Sequence, residues 1–208
     1  MFSKILIYLL VLLQPSTIII DKIAAVVNNE IITMTDIDKS IYLFPVFKKK
    51  EESPKTFYNR ILQELINYKV IYLEYKNDFI LTEENYEEVQ TPIIKKQGSL
   101  NQLIKLLKKY DMNWKDFKDF IKEKVLYEKV LKEKFQMNIK ISFNEIKSFY
   151  YEDYLLLQRE LNLKPNSLIE MTSLIEKHLR KIKTENKLSG WLEEIKSSYK
   201  IENIFLKE

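Results

Sequence analysis

Two glycines in 208 residues are the strongest constraint on how this chain folds. A phosphate loop needs several glycines in a short stretch and is excluded, and a turn-rich β architecture needs glycine at many positive-φ positions, so the count argues against it. The chain must build its core from helices and close it with turns of other chemistry. There are no cysteines either, so no disulfide framework, thiolate metal site or cysteine nucleophile is available. With 46% hydrophobic and 12% aromatic residues, packing alone can hold a core of one or two domains.

The N-terminus sets the expected compartment. Met1 to Lys4 is a short basic start, Ile5 to Leu13 is an unbroken apolar run, and Gln14, Pro15, Ser16 and Thr17 break it. That order is the order of a secretory signal, and the run is short for a membrane span. Residues 1–17 are therefore expected to be a signal peptide, with a retained inner-membrane anchor as the alternative. Export places the protein in the periplasm. The formal charge of +4 is dispersed, with lysines interleaved among acids as on solvated helix faces, which argues against nucleic-acid binding.

Helix starts punctuate the rest. Ile23 to Val27, Asn28-Asn29 and Glu30 to Thr33 read as a hairpin, after which Thr35 is expected to cap a helix with Asp36 and Asp38 in its first turn. A charged link, Lys48 to Glu52, precedes Ser53-Pro54, an N-cap followed by proline at the first helical position. Phe57, Ile61, Leu65, Tyr68 and Tyr72 then form one stripe on a helix of roughly 35 Å. Thr82 starts another helix, which Pro92 is expected to bend or divide and Gly98 to stop. Ser99 with Gln102, Ser142 with Glu145 and Ser167 with Glu170 read as capping boxes, and Asn113 opens a long helix. Tyr199 to Leu206 suits a strand. A strand at each end of a helical chain predicts that the two pair. The expected fold is mainly α, with a small β element made by the N-terminal hairpin and the C-terminal strand.

No catalytic constellation is visible. The one histidine, His178, falls inside the last long helix near its apolar stripe, where a structural role is expected. Glu83-Glu84 and Glu87-Glu88 occupy the first turns of a helix, which the helix dipole explains. Carboxylates elsewhere sit beside lysines, with no spacing that suits a metal. The chain is read as a non-enzyme with no cofactor. Its aromatics offer another possibility. Tyr42, Phe44, Phe47, Phe57 and Tyr58 crowd the link between the first two helices, and Tyr150, Tyr151 and Tyr154 crowd the start of the penultimate one. Most aromatics in such a chain fill the core, but exposed ones near helix ends can line a groove for extended polypeptide. These eight are the candidate peptide-binding residues.

The order of segments resembles a known family. Asp21-Lys22-Ile23-Ala24-Ala25-Val26-Val27-Asn28-Asn29-Glu30-Ile31-Ile32, followed by Thr35-Asp36-Ile37, is similar to the start of mature members of the SurA family of periplasmic chaperones. Leu62 to Glu74, Thr82-Glu83-Glu84, Trp114 to Leu131 and Ser142 to Tyr151 resemble later parts of that family's N-terminal domain. Trp191 to Ile195 and Tyr199-Lys200-Ile201 resemble the C-terminal helix and strand that fold back onto it. The resemblance implies a chaperone domain over residues 18–150, completed by residues 167–208. Where the family carries parvulin-type prolyl isomerase domains, only residues 151–166 remain, read as a short connection, and the paired histidines of a parvulin site have no counterpart. The implied function is ATP-independent holding of extended, aromatic-rich segments of unfolded envelope or outer-membrane proteins. The alternative is a dedicated assembly partner of one envelope protein; an enzyme remnant with isomerase activity ranks third. Membrane contact is expected only through an uncleaved N-terminal segment, and the sequence does not give an oligomeric state.

Overall fold

The computed structural model describes residues 21–135 and 139–206. The signal or anchor expected over residues 1–17 lies outside the described residues. The fold is mainly α with one small antiparallel sheet, as expected.

β1 (Ile23–Val27) and β2 (Glu30–Thr33) form the hairpin. Asn28 turns it at φ 53°, a left-handed conformation that asparagine tolerates better than most residues. β3 (Ile201–Asn203) pairs antiparallel with the free edge of β1, so the sheet order is β2-β1-β3. Asn28 clamps this junction from both sides: its amide donates to the Lys200 carbonyl at 2.8 Å, and its Oδ1 accepts from the Lys200 amide at 2.8 Å. The closing strand is shorter than Tyr199 to Leu206, because after Asn203 the chain turns and both Ile204 and Phe205 donate to the Ala24 carbonyl.

α1 (Met34–Leu43) is capped by Thr33, not Thr35. Thr33 accepts from the Asp36 amide while the Asp36 carboxylate accepts from the Thr33 amide, a complete capping box. The strand thus runs directly into the helix, placing Thr35 inside the first turn. α2 (Pro54–Tyr75) begins at Ser53-Pro54 as expected. α3 (Glu83–Gln97) is continuous through Pro92, contrary to a division there, and ends at Gly98 with φ 89°. α4 (Leu100–Lys109) is capped by Ser99. Gln102 supplies only half of the expected box: its amide bonds Ser99 Oγ, while its side chain meets the same hydroxyl at 3.4 Å. α5 (Trp114–Phe135) is opened by Asn113, whose side chain accepts from the Lys115 and Asp116 amides.

α2 and α5 pack lengthwise and carry the core. One cluster lies where α1, α3, α4 and α5 meet, around Leu43, Ile93, Leu103, Phe117 and Ile121. A second joins the sheet to α1 and α2 through Ala24, Val27, Ile37, Leu62 and Ile66. Lys69 on α2 bridges Glu123 on α5 at 2.5 Å and Glu30 on β2 at 3.7 Å, fixing the helix pair against the hairpin.

The remainder forms an arm. α6 (Phe143–Phe149) passes through a π-helical turn at Tyr150–Tyr154 into α7 (Leu155–Glu160). Residues 151–160, expected as a connection, are therefore helical. Asn162 at φ 53° turns the chain toward α8 (Leu168–Lys196). The arm has its own cluster, Ile146, Tyr150 and Ile175, with Leu168, Met171 and Leu179 packed against it. The far half of α8 returns to the body, where Leu192 joins Ile71, Leu126 and Val130. No helix among the described residues is long and apolar enough to cross a membrane.

Candidate polypeptide-binding surface

The eight aromatics singled out from sequence divide sharply by environment. Phe44 is buried in the body, its ring stacked 6.0 Å from Phe120 with Lys124 5.5 Å above it. Phe57 is buried beneath the Arg60 guanidinium at 5.2 Å. Tyr150 is buried in the arm, where its hydroxyl donates to the Asn166 carbonyl at 2.8 Å. These three are buried, and Phe44 also lines an open pocket on the body with Val46, Tyr68 and Pro92. Phe44 follows the C-terminus of α1 inward because Lys96 on α3 donates to the Ile41 and Phe44 carbonyls, at 2.7 and 2.5 Å, and draws the chain down.

Tyr58 and Tyr154 are half-buried and hydrogen-bonded. Tyr58 donates to Asp38 at 2.9 Å and stacks 6.4 Å from Phe205; that bond, then burial, holds its hydroxyl above the ordinary tyrosine range. Tyr154 accepts from the Asn166 amide at 3.0 Å and stacks on Tyr150. Burial likewise raises the Tyr150 hydroxyl. Tyr150, Tyr151 and Tyr154 follow α6 and lead directly into α7, the penultimate helix, at whose start they were expected.

Three of the eight are exposed: Tyr42, Phe47 and Tyr151. Phe47 is 76% exposed because its link is tied down by backbone, with the Phe47 carbonyl accepting from Arg60 and its ring left in water. The two groups belong to separate parts of the fold. Phe57 and Tyr58 pack together in the body, whereas the three later tyrosines pack together in the arm.

A larger group of exposed apolar side chains was not singled out from sequence. Leu156, Leu157, Leu161 and Leu163 are all exposed, as are Phe143, Ile169 and Leu174, with Ile169 87% in water. With Tyr151 they lie within one 32-residue segment, Phe143 to Leu174, which is the arm. Single exposed leucines are common on monomeric proteins, whereas here eight exposed large apolar side chains fall within this one segment. A signal was present: Leu155-Leu156-Leu157 places three apolar side chains about 100° apart around a helix, and a helix packed on one side buries only part of that arc. Leu155 turns inward and the other two remain outside.

The chemistry nearby is unremarkable. His178 is exposed on α8, its ring 5.2 Å from Phe149, rather than set into the stripe. Among the described residues no group of three or more His, Asp or Glu converges as a metal site. Fixed ion pairs brace the arm instead: Lys183 on α8 holds the Glu145 carboxyl, which also accepts from Ser142, down at about 2.

No protein-family model and no curated protein matches this sequence.

Proposed function

We propose that this protein is an ATP-independent holding chaperone of the SurA type, without isomerase domains, acting on extended segments of unfolded envelope or outer-membrane proteins. The observation that carries the reading is the concentration of exposed large apolar side chains on the arm. Unfolded barrel strands expose alternating apolar and aromatic side chains and pair across chains unless covered. A helical surface offering leucines and a tyrosine covers such segments by apolar contact alone, without nucleotide or covalent chemistry. Each contact is weak, and a long client engages several at once, which raises the effective concentration. The N-terminal basic and apolar run supports placement in the periplasm. The closure of the N-terminal hairpin by a C-terminal strand also accords with the segment order that suggested the family.

The test is contact mapping. A photoreactive side chain placed at Leu157 or Leu174 is expected to cross-link an unfolded outer-membrane barrel protein. The same group at Ile80, an exposed apolar residue of the body, is the control. Equal labelling from Ile80, or none from the arm, would remove the basis for the assignment.

A further inference from the structure

A second apolar surface lies on the body. Leu100, Ile104 and Leu107 on α4 face Met112 and Trp114 across the tight turn at Asp111, leaving an open notch of about 360 Å³. Asp111 is left-handed at φ 50°, and that reversal sets the start of α5 against the side of α4. The Met112 amide donates back to the Leu107 carbonyl at 3.0 Å, so the mouth of the notch is held by backbone. Trp114 packs 5.1 Å from the buried Phe117, which fixes its ring as one wall. The volume lies at the low end of small-ligand sites and suits one large side chain.

The rim of the notch is basic. Residues 100–116 carry Lys105, Lys108, Lys109 and Lys115 against two acids, Asp111 and Asp116, and the Asp116 carboxylate accepts from the Asn113 amide at 2.9 Å. Lys108 lines the notch itself. Lys105 lies one position after Ile104, on the solvent side of that stripe, and Lys115 follows Trp114. Three other lysines of the body pair with acids on a neighbouring helix: Lys69 with Glu123, Lys118 with Glu83, and Lys132 with Glu88. An apolar notch lined by Lys108, with more lysines than acids in the segment that forms it, is complementary to an apolar anchor that carries its own carboxylates.

We infer that the notch between α4 and Trp114 binds an acidic peptide segment, seating one aromatic side chain against Leu100, Ile104 and Trp114 while flanking carboxylates meet Lys105 and Lys108. The concave shape favours a single inserted ring over a flat lipid surface. The notch and the arm are on different elements, so this site stands or falls independently of holding activity by the arm.

The experiment uses Trp114 as reporter in a Trp191→Phe background, with isothermal titration of the unaltered protein as a parallel measurement. The probe is a blocked peptide, Asp-Glu-Phe-Glu-Asp. Saturable change in Trp114 emission is expected with this peptide. None is expected when phenylalanine is replaced by alanine or the acids by lysine. The double variant Lys105→Glu, Lys108→Glu is expected to weaken binding about tenfold with the helical spectrum unchanged. Absence of binding by both methods, or equal binding of the lysine-flanked peptide, overturns the inference. A response to phosphatidylglycerol vesicles without any response to the peptide also overturns it, and assigns the notch to a lipid surface.

Discussion

Tyr199 donates its hydroxyl to Glu74 Oε2 at 2.8 Å, joining the segment before β3 to the end of α2 across 125 positions of sequence. This bond and the β1–β3 ladder fasten the C-terminus to the N-terminal half. Trp191 strengthens the same seam, its ring lying 6.0 Å from Tyr75 and 5.2 Å from Phe135.

Burial, and then donation to Glu74, push the Tyr199 hydroxyl up to about 12 from an ordinary value of 10. A raised folded-state pKa gives stability that is fully present below pH 10 and lost as pH rises through about 12. Tyr199→Phe should cost about 1 kcal/mol at neutral pH, the worth of one hydrogen bond to a charged acceptor at a partly exposed site. It should also flatten the loss of stability in that alkaline window, as followed by urea unfolding from pH 8 upward. An unchanged alkaline profile would show that the bond does not form in solution.

Acid acts through a different pair. Arg60 donates twice to Glu52, and this hydrogen bonding, aided by the Lys49 amide, holds the Glu52 carboxyl at about 2. A depressed folded-state pKa gives stability that is present above the ordinary value of 4.5 and lost as pH falls through about 2. Glu52→Gln should therefore reduce the dependence of the urea midpoint on pH within that window. Because Arg60 also holds the Phe47 carbonyl, the same change should increase amide exchange in the 45–52 link.

The cap of α1 is Thr33 and not Thr35, the threonine expected from sequence. Thr33→Ala should destabilise by about 1 kcal/mol, since it removes the hydroxyl half of a complete box. Thr35→Ala should lie within about 0.5 kcal/mol of the parent, measured in the same urea titration. The reverse order would contradict the box.

Local chemistry made much of the fold legible. Ser53-Pro54, Ser142 with Glu145 and Ser167 with Glu170 each satisfy helix-end amides within four residues, so short-range pattern suffices to place them. Two glycines forced a helical reading, and β-branched runs at both ends pointed to the paired strands. The interior of the candidate surface was less readable. Phe44 and Phe47 are three residues apart in one link, yet one is core and the other is in water. The difference is made by Lys96 and Arg60, which reach in from other helices. Pro92 failed to break α3 because a helix held by packing at Val89 and Ile93 tolerates the loss of one hydrogen bond. The arm's exposed leucines depend on what α8 covers and what it leaves bare.

The arm and the body have separate clusters, which predicts separable stability. Ile175→Ala removes the buried contact between α8 and α6 and should raise hydrogen exchange across residues 143–179. Exchange in α2 and α5 should change little. Uniform destabilisation would mean that the two parts open together.

In the proposed function, the exposed apolar side chains of the arm hold unfolded chains. The most direct measurement is aggregation of an unfolded outer-membrane barrel protein diluted from urea, followed by light scattering, with the purified protein and with a variant carrying Tyr151→Ser, Leu157→Gln, Ile169→Gln and Leu174→Gln. All four side chains are exposed, so the variant should retain its helical spectrum and unfolding midpoint. The parent is expected to suppress scattering at near-stoichiometric ratio and the variant to lose most of that effect. No suppression by the folded parent, or full suppression by the variant, would contradict the account.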